Sequence, residues 1–170
     1  MLVCTAQIAD APRIASIHVD TWRAAYRGQI PDVVLDALDV ERRTAFWRQR
    51  LAETRGSVFV AENDGVVVGF CDLIPSRDKD ADPQTVAEIV AIYIHPGHWR
   101  AGAGRGLCGH ALDEARRRGY KVVTLWVLDS NAGARGFYEA MGFSLDGATK
   151  TEKTTDRSDL HEVRYRIAIR

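Results

Sequence analysis

Apolar positions recur along this chain with two periods, and the switches between them mark the elements. Val86 to Ile94 is an almost unbroken β-branched and aromatic run, as expected of a strand buried on both faces. It stops at His95-Pro96-Gly97, because Pro96 lacks the amide that a ladder needs and Gly97 permits a turn. The period then becomes helical, with Leu107, Ala111, Leu112 and Ala115 as the buried stripe and Gly119 as the stop. Lys121 to Leu128 reads as the next strand, and strand, helix, strand implies a parallel pair with a right-handed crossover.

The flanks fit around this unit. Leu2 to Gln7 reads as a short strand, and Asp10 and Pro12 open a helix whose inner face is Ile14, Ile17, Trp22 and Ala25. Pro31 to Leu38 is expected as a short helical turn. Asp39 caps a further helix, with Val40, Phe46, Trp47 and Leu51 expected to face inward. Ser57 to Glu62 and Val66 to Ile74 form a hairpin, since Asp64-Gly65 is a strong turn signal between apolar runs. The polar stretch Pro75 to Gln84 is expected as an exposed loop. Beyond the central unit, Asp129 to Asn131 open a helix through Ala134, Phe137, Tyr138 and Met141, which Gly142 ends. Phe143 to Lys150 and Leu160 to Ile169 are the last strands, the final one alternating Val163, Tyr165, Ile167 and Ile169 against Glu162, Arg164 and Arg166. The whole is one mixed sheet flanked by helices.

Length and charge narrow the partners. At 170 residues without a linker, one domain spanning 1–170 is expected. The 23 basic and 23 acidic residues cancel, which points away from nucleic acid and from an acidic membrane surface. Cys4, Cys71 and Cys108 are far apart and set among apolar residues, as suits a reducing cytoplasm, and neither a signal peptide nor a membrane-length apolar run is present. The apolar face of the last strand, Tyr165, Ile167 and Ile169, could serve a homodimer. His95 and His98 make a His-x-x-His without a third ligand, so no metal is expected.

The start of the central helix is chemically odd. Helices gain from Asp or Glu in the first turn, against a positive pole of about half a charge, yet no acid appears here before Asp113. Small residues and the side chains of Arg100 and Arg105 stand there instead, which suits a phosphate. A Walker loop would need Lys and Ser or Thr after its last glycine, and neither is present. Gly104-Arg105-Gly106-Leu107-Cys108-Gly109 spells GxGxxG, which leaves an NAD-binding oxidoreductase as an alternative; against it, His95 to Ala103 separate strand from glycine.

More residues agree with a third pattern. Trp99, Gly102 and Gly104 hold the first, fourth and sixth places of a loop that resembles motif A of the GNAT N-acetyltransferase superfamily, with Trp99 replacing the usual Gln or Arg. Asn131, Tyr138, Gly142 and Phe143 are similar to that family's second signature. The resemblance implies an α/β (α+β) fold: a mixed, mostly antiparallel sheet of six to seven strands with a central parallel pair and about four helices. It implies that Trp99, Arg100, Ala101, Gly102, Ala103, Gly104 and Arg105 bind the diphosphate of acetyl-CoA, and that Ile92, Tyr93 and Ile94 pair their main chain with the pantetheine arm. Asn131 would also contact the cofactor, and Tyr138 would protonate the leaving thiolate.

A strand glutamate stands eleven residues before the first loop residue in the histone-acetylating branch of the family, and Glu88 has that spacing from Trp99. Strand alternation puts Glu88 on a face with Val90, Ile92 and Ile94, where burial would raise its pKa and make it a base. A salt bridge to an arginine is the competing account of such a carboxylate. Trp22 and Tyr26 resemble the acceptor-lining region. The expected activity is transfer of the acetyl group to a primary amine of a small molecule. The alternatives are a peptide or protein acceptor, or acyl-CoA binding without turnover. The acceptor pocket is expected from Ala25 to Leu38, Pro75 to Gln84 and Thr151 to Ser158.

Overall fold

The two periods read from the sequence become a seven-stranded sheet with helices on both faces in the computed structural model, which describes residues 1–153 and 159–170. In chain order the elements are β1 (Leu2–Thr5), α1 (Ala11–Ala25), α2 (Asp32–Asp36), α3 (Val40–Ala52), β2 (Ser57–Asn63), β3 (Val66–Pro75), β4 (Val86–Ile94), α4 (Ala103–Arg117), β5 (Val122–Leu128), α5 (Ala132–Ala140), β6 (Ser144–Lys153) and β7 (Asp159–Ala168). The strands lie in the order β1-β2-β3-β4-β5-β7-β6, and only β4 and β5 are parallel. That excludes the doubly wound parallel sheet of a dinucleotide-binding fold. Among the described residues there are five α-helices, the short α2 being the one beyond the expected four.

Sheet alternation sorts the core into two layers. Phe59, Val68, Cys71, Leu73 and Leu125 pack under Leu107, Cys108, Ala111 and Ala115 of α4, with Tyr138 of α5 beside them. On the other face Val58, Val60 and Phe70 meet Ile14, Ile17 and Trp47 of α1 and α3. The β2–β3 turn has Asp64 at φ 50° and Gly65 at φ 76°, the left-handed pair that a two-residue hairpin requires.

Three expectations need correction. Val40 and Phe46 do not face inward; they are 38% and 50% exposed. The inner stripe of α3 is Thr44, Trp47 and Arg50, because Asp72 of β3 receives the Arg50 Nε at 3.1 Å and makes a charged residue the better inner partner. The apolar face of the last strand is less open than its alternation implies: β7 lies between β5 and β6, and Tyr165 and Ile169 are buried in the chain's own core. Finally, Asp72 pairs with Ala91 but Leu73 with Ile89, so Val90 is an extra residue in β4. This bulge inverts the alternation beyond it.

Candidate active site

The parallel pairing of β4 and β5 covers only Val86↔Val122 to Ile89↔Leu125. Both strands continue, β4 to Ile94 and β5 to Leu128, so the sheet forks just past the bulge. The His95 amide bonds the Val68 carbonyl at 2.8 Å, which turns the Ile94 carbonyl away from β3. There it accepts Thr21 Oγ1 at 3.0 Å and Trp99 Nε1 at 2.6 Å. By alternation Ile92 and Ile94 direct their peptide groups into the fork, whereas those of Tyr93 face β3. Gly69 makes this geometry possible: a Cβ there would lie 2.5 Å from Ile94 Cδ1 and 3.0 Å from the Tyr93 carbonyl.

The loop at the mouth of the fork has the geometry of an anion seat. Arg100 at φ 60° and Gly102 at φ 88° bend the chain into a concave run of amides that continues into α4. The first amides of α4 have no partner one turn back, and no acidic side chain stands in its first turn. Arg100 and Arg105 are exposed on either side. Trp99, in the place of a Gln or Arg, ties the loop to the end of β4 through its indole N–H.

Across the mouth stands α5. Asn131 caps it, its Oδ1 accepting the Ala134 amide at 3.1 Å. Tyr138 is buried, with its ring 5.3 Å from Phe137 and 6.0 Å from Phe143. Burial, with a smaller contribution from Tyr93, pushes its pKa well above the ordinary phenol value, so it carries a proton to give. Arg135 fixes the helix by bonding Asp129 at 2.6 Å and the Tyr165 hydroxyl at 3.2 Å.

Glu88 is placed differently from expectation. The bulge puts it on the face of Ala91 and Tyr93, not with Ile92 and Ile94. Both of its oxygens are engaged by Arg77, Nη2 to Oε1 at 2.6 Å and Nε to Oε2 at 3.1 Å, with the Arg77 amide also on Oε2 at 3.1 Å. The salt bridge that competed with a base is therefore what this carboxylate makes. The loop that carries Arg77 is not simply exposed. Arg164 of β7 grips Asp78 at 3.0 Å and Asp80 at 2.7 Å, and Trp126 Nε1 donates to Asp78 at 3.0 Å.

On the α1 side of the fork, aromatic rings converge. Trp22 and Tyr26 meet at 5.2 Å between centroids, and His18 lies 5.6 Å from Trp22 and 5.1 Å from Tyr93. Trp47 Nε1 donates to His18 Nδ1 at 3.3 Å, and burial holds the imidazole pKa down to about 3, so the ring is neutral with its proton on Nε2. That Nε2 and Trp22 Nε1 are buried without a hydrogen-bond partner among the described residues. Neither His18 nor Arg77 carries a motif, and Glu162 stands out in the sequence only as a polar place in the β7 alternation, because the three come from separate elements. Cys108 is a packing residue, its thiol pushed up to about 12 by burial. Of the segments expected to shape an acceptor pocket, residues 154–158 lie outside those described. Among the described residues no three metal-ligand side chains gather, and no helix is long and apolar enough to cross a membrane.

Residues 14–143 match the model of the Acetyltransferase (GNAT) family. The chain is 32% identical over 136 residues to the uncharacterized N-acetyltransferase YuaI of Bacillus subtilis, covering 79% of this chain and 75% of that one. It is also 32% identical over 109 residues to the L-methionine sulfoximine/L-methionine sulfone acetyltransferase of Salmonella typhimurium, covering 64% and 61%. Among solved structures it is similar to yncA, a putative acetyltransferase from Salmonella typhimurium with its cofactor acetyl-CoA, with TM-score 0.74, 26% identity, and coverage of 100% and 94%.

Proposed function

Because the chain belongs to the GNAT acetyltransferase family and is an acetyl-CoA-dependent N-acetyltransferase, we propose that its acceptor is the primary amine of a small molecule. The observation that carries the site assignment is the conjunction at the fork: an acid-free amide nest at its mouth and unpaired strand edges within it. The small-molecule acceptor is supported by the relative whose name specifies L-methionine sulfoximine and L-methionine sulfone, and by the neutral net charge.

In this reading the amides of residues 100–105 hold the diphosphate, helped by Arg100 and Arg105. Ile92 and Ile94 offer peptide groups to the pantetheine arm, and a fork amide polarises the thioester carbonyl. Asn131 keeps its side-chain N–H donors for the cofactor while its oxygen caps α5. Tyr138 gives its proton to the departing sulfur, a role that suits a phenol whose pKa burial has raised.

The test is a panel of alkylamines, amino acids, polyamines and peptides incubated with acetyl-CoA, followed by free-thiol release. The reading predicts turnover with small amines. Turnover confined to peptides would replace the acceptor, and turnover with none would remove it. Cofactor binding is checked separately by melting. A ligand at a hundred times its Kd adds about 2.7 kcal/mol, a shift of roughly 5–11 °C for a chain of this size.

A further inference from the structure

We propose that the Glu162 carboxylate, on the sheet face against which Trp22 and Tyr26 pack, is the seat of the acceptor's ammonium group and takes its proton, rather than Glu88. The inference deepens the acyl-transfer reading above and rests on it.

Register places Glu162 one strand beyond the fork, beside the β5 arm. It pairs across β7 and β5 with Leu128, the last residue of the β5 arm. Val163, Tyr165 and Ile167 belong to the α4 layer, so Leu160, Glu162 and Arg164 point to the opposite face. On that face Leu128 and Leu160 pack with Trp22 and Tyr26, which brings the aromatic pair beside the carboxylate.

The carboxylate already shows what it accepts. Lys150 Nζ lies 3.0 Å from Glu162 Oε2, so the carboxylate already holds an alkylammonium of the chain itself. That ammonium is shared with Glu152 at 2.9 Å and rests over the Trp126 ring at 4.7 Å. Glu88, by contrast, has both oxygens closed by Arg77. The charged and titratable groups around Glu162 are Lys150 and Glu152 from β6, Glu88 and Tyr93 from β4 and Tyr26 just past the end of α1. Burial raises its pKa, against the opposing pull of Lys150, toward a value useful in a base.

The protons balance as follows. The carboxylate of Glu162 takes one proton from the ammonium, and the neutral nitrogen forms a bond to the thioester carbon. As the adduct collapses the C–S bond breaks, the sulfur takes the proton of Tyr138, and the second nitrogen proton restores the phenol. The proton on Glu162 leaves to solvent.

The experiment titrates n-butylammonium into the full chain and follows tryptophan fluorescence, with n-butanol as the uncharged control. The expected result is saturation with butylammonium alone, weakened at least tenfold by Glu162→Gln and changed less than threefold by Glu88→Gln. Lys150→Met should tighten binding, because it removes the internal competitor; a merely structural Glu162 gives no reason for that gain. The proposal fails if Glu162→Gln binds within threefold of the parent, if Glu88→Gln alone abolishes binding, or if Lys150→Met weakens it. It also fails if the parent does not saturate, or binds butanol equally well. Melting with acetyl-CoA separates the two levels: a cofactor shift without butylammonium binding removes this site and leaves the transferase reading standing, whereas no cofactor shift removes the reading on which it rests.

Discussion

Replacing Gly102 with alanine tests the proposed anion seat apart from the rest of the enzyme. Gly102 holds φ 88°, and a Cβ built there meets nothing within 4 Å, so the penalty is purely conformational. A left-handed backbone costs an L-residue about 1–2 kcal/mol. That cost must fall in one of two places. If the loop keeps its shape, the folded state carries the strain and the melting temperature drops by roughly 2–8 °C. If the loop relaxes, the amides leave the diphosphate, and re-forming the nest on binding weakens acetyl-CoA by about 5- to 30-fold, at 1.4 kcal/mol per decade. The two losses together should sum to the same about 1–2 kcal/mol. Calorimetric melting and kcat/KM measure them in parallel, with acetyl-pantetheine as a cofactor lacking the diphosphate. The loss of kcat/KM should appear with acetyl-CoA and be absent with acetyl-pantetheine. Equal loss with both cofactors, or no loss in either stability or affinity, would refute the nest.

Other expectations follow from the same geometry. Tyr138→Phe should lower kcat by about 10²- to 10⁴-fold while acetyl-CoA affinity, read by calorimetry, stays within twofold, since only the proton donor is removed. Gly69→Ala should cost about 1–3 kcal/mol in denaturant unfolding, because its Cβ would overlap Ile94 and the Tyr93 carbonyl. His18 is neutral when folded, with its pKa lowered to about 3 from the ordinary 6.5, so unfolding takes up a proton between those values. Its contribution is complete above pH 6.5 and declines as pH falls: about 2.5 units from pH 6.5 to pH 4 correspond to roughly 3 kcal/mol. Unfolding of His18→Gln should show a correspondingly flatter acid limb, and an unchanged limb would mean His18 does not titrate on unfolding.

The legible part of the molecule was local. The Asp64-Gly65 turn, the crossover around Val86 to Leu128 and the missing acids at the start of α4 each depend on neighbours in sequence, and each appears in the structure as read. What failed was long-range. No residue in Val86 to Ile94 announces that Val90 is extruded, because a bulge is decided by the pairing of β3 with β4, and a one-residue slip reverses every side chain beyond it. The inner place of Arg50 depends on Asp72 in another element, and the position of β7 inside the sheet depends on β6 closing over it. The surroundings of the proposed acceptor seat were least visible for the same reason: His18, Tyr93 and Glu162 come from α1, β4 and β7.

The central claim is that coenzyme A lies with its diphosphate on the amides at the start of α4 and its pantetheine in the fork between β4 and β5. A crystal structure of the chain with acetyl-CoA tests this directly. The account predicts diphosphate oxygens on the main-chain amides of residues 100–105 and pantetheine hydrogen bonds to Ile92 or Ile94. A cofactor bound elsewhere, or a loop still closed by the Trp99 indole on the Ile94 carbonyl with the fork empty, would contradict it.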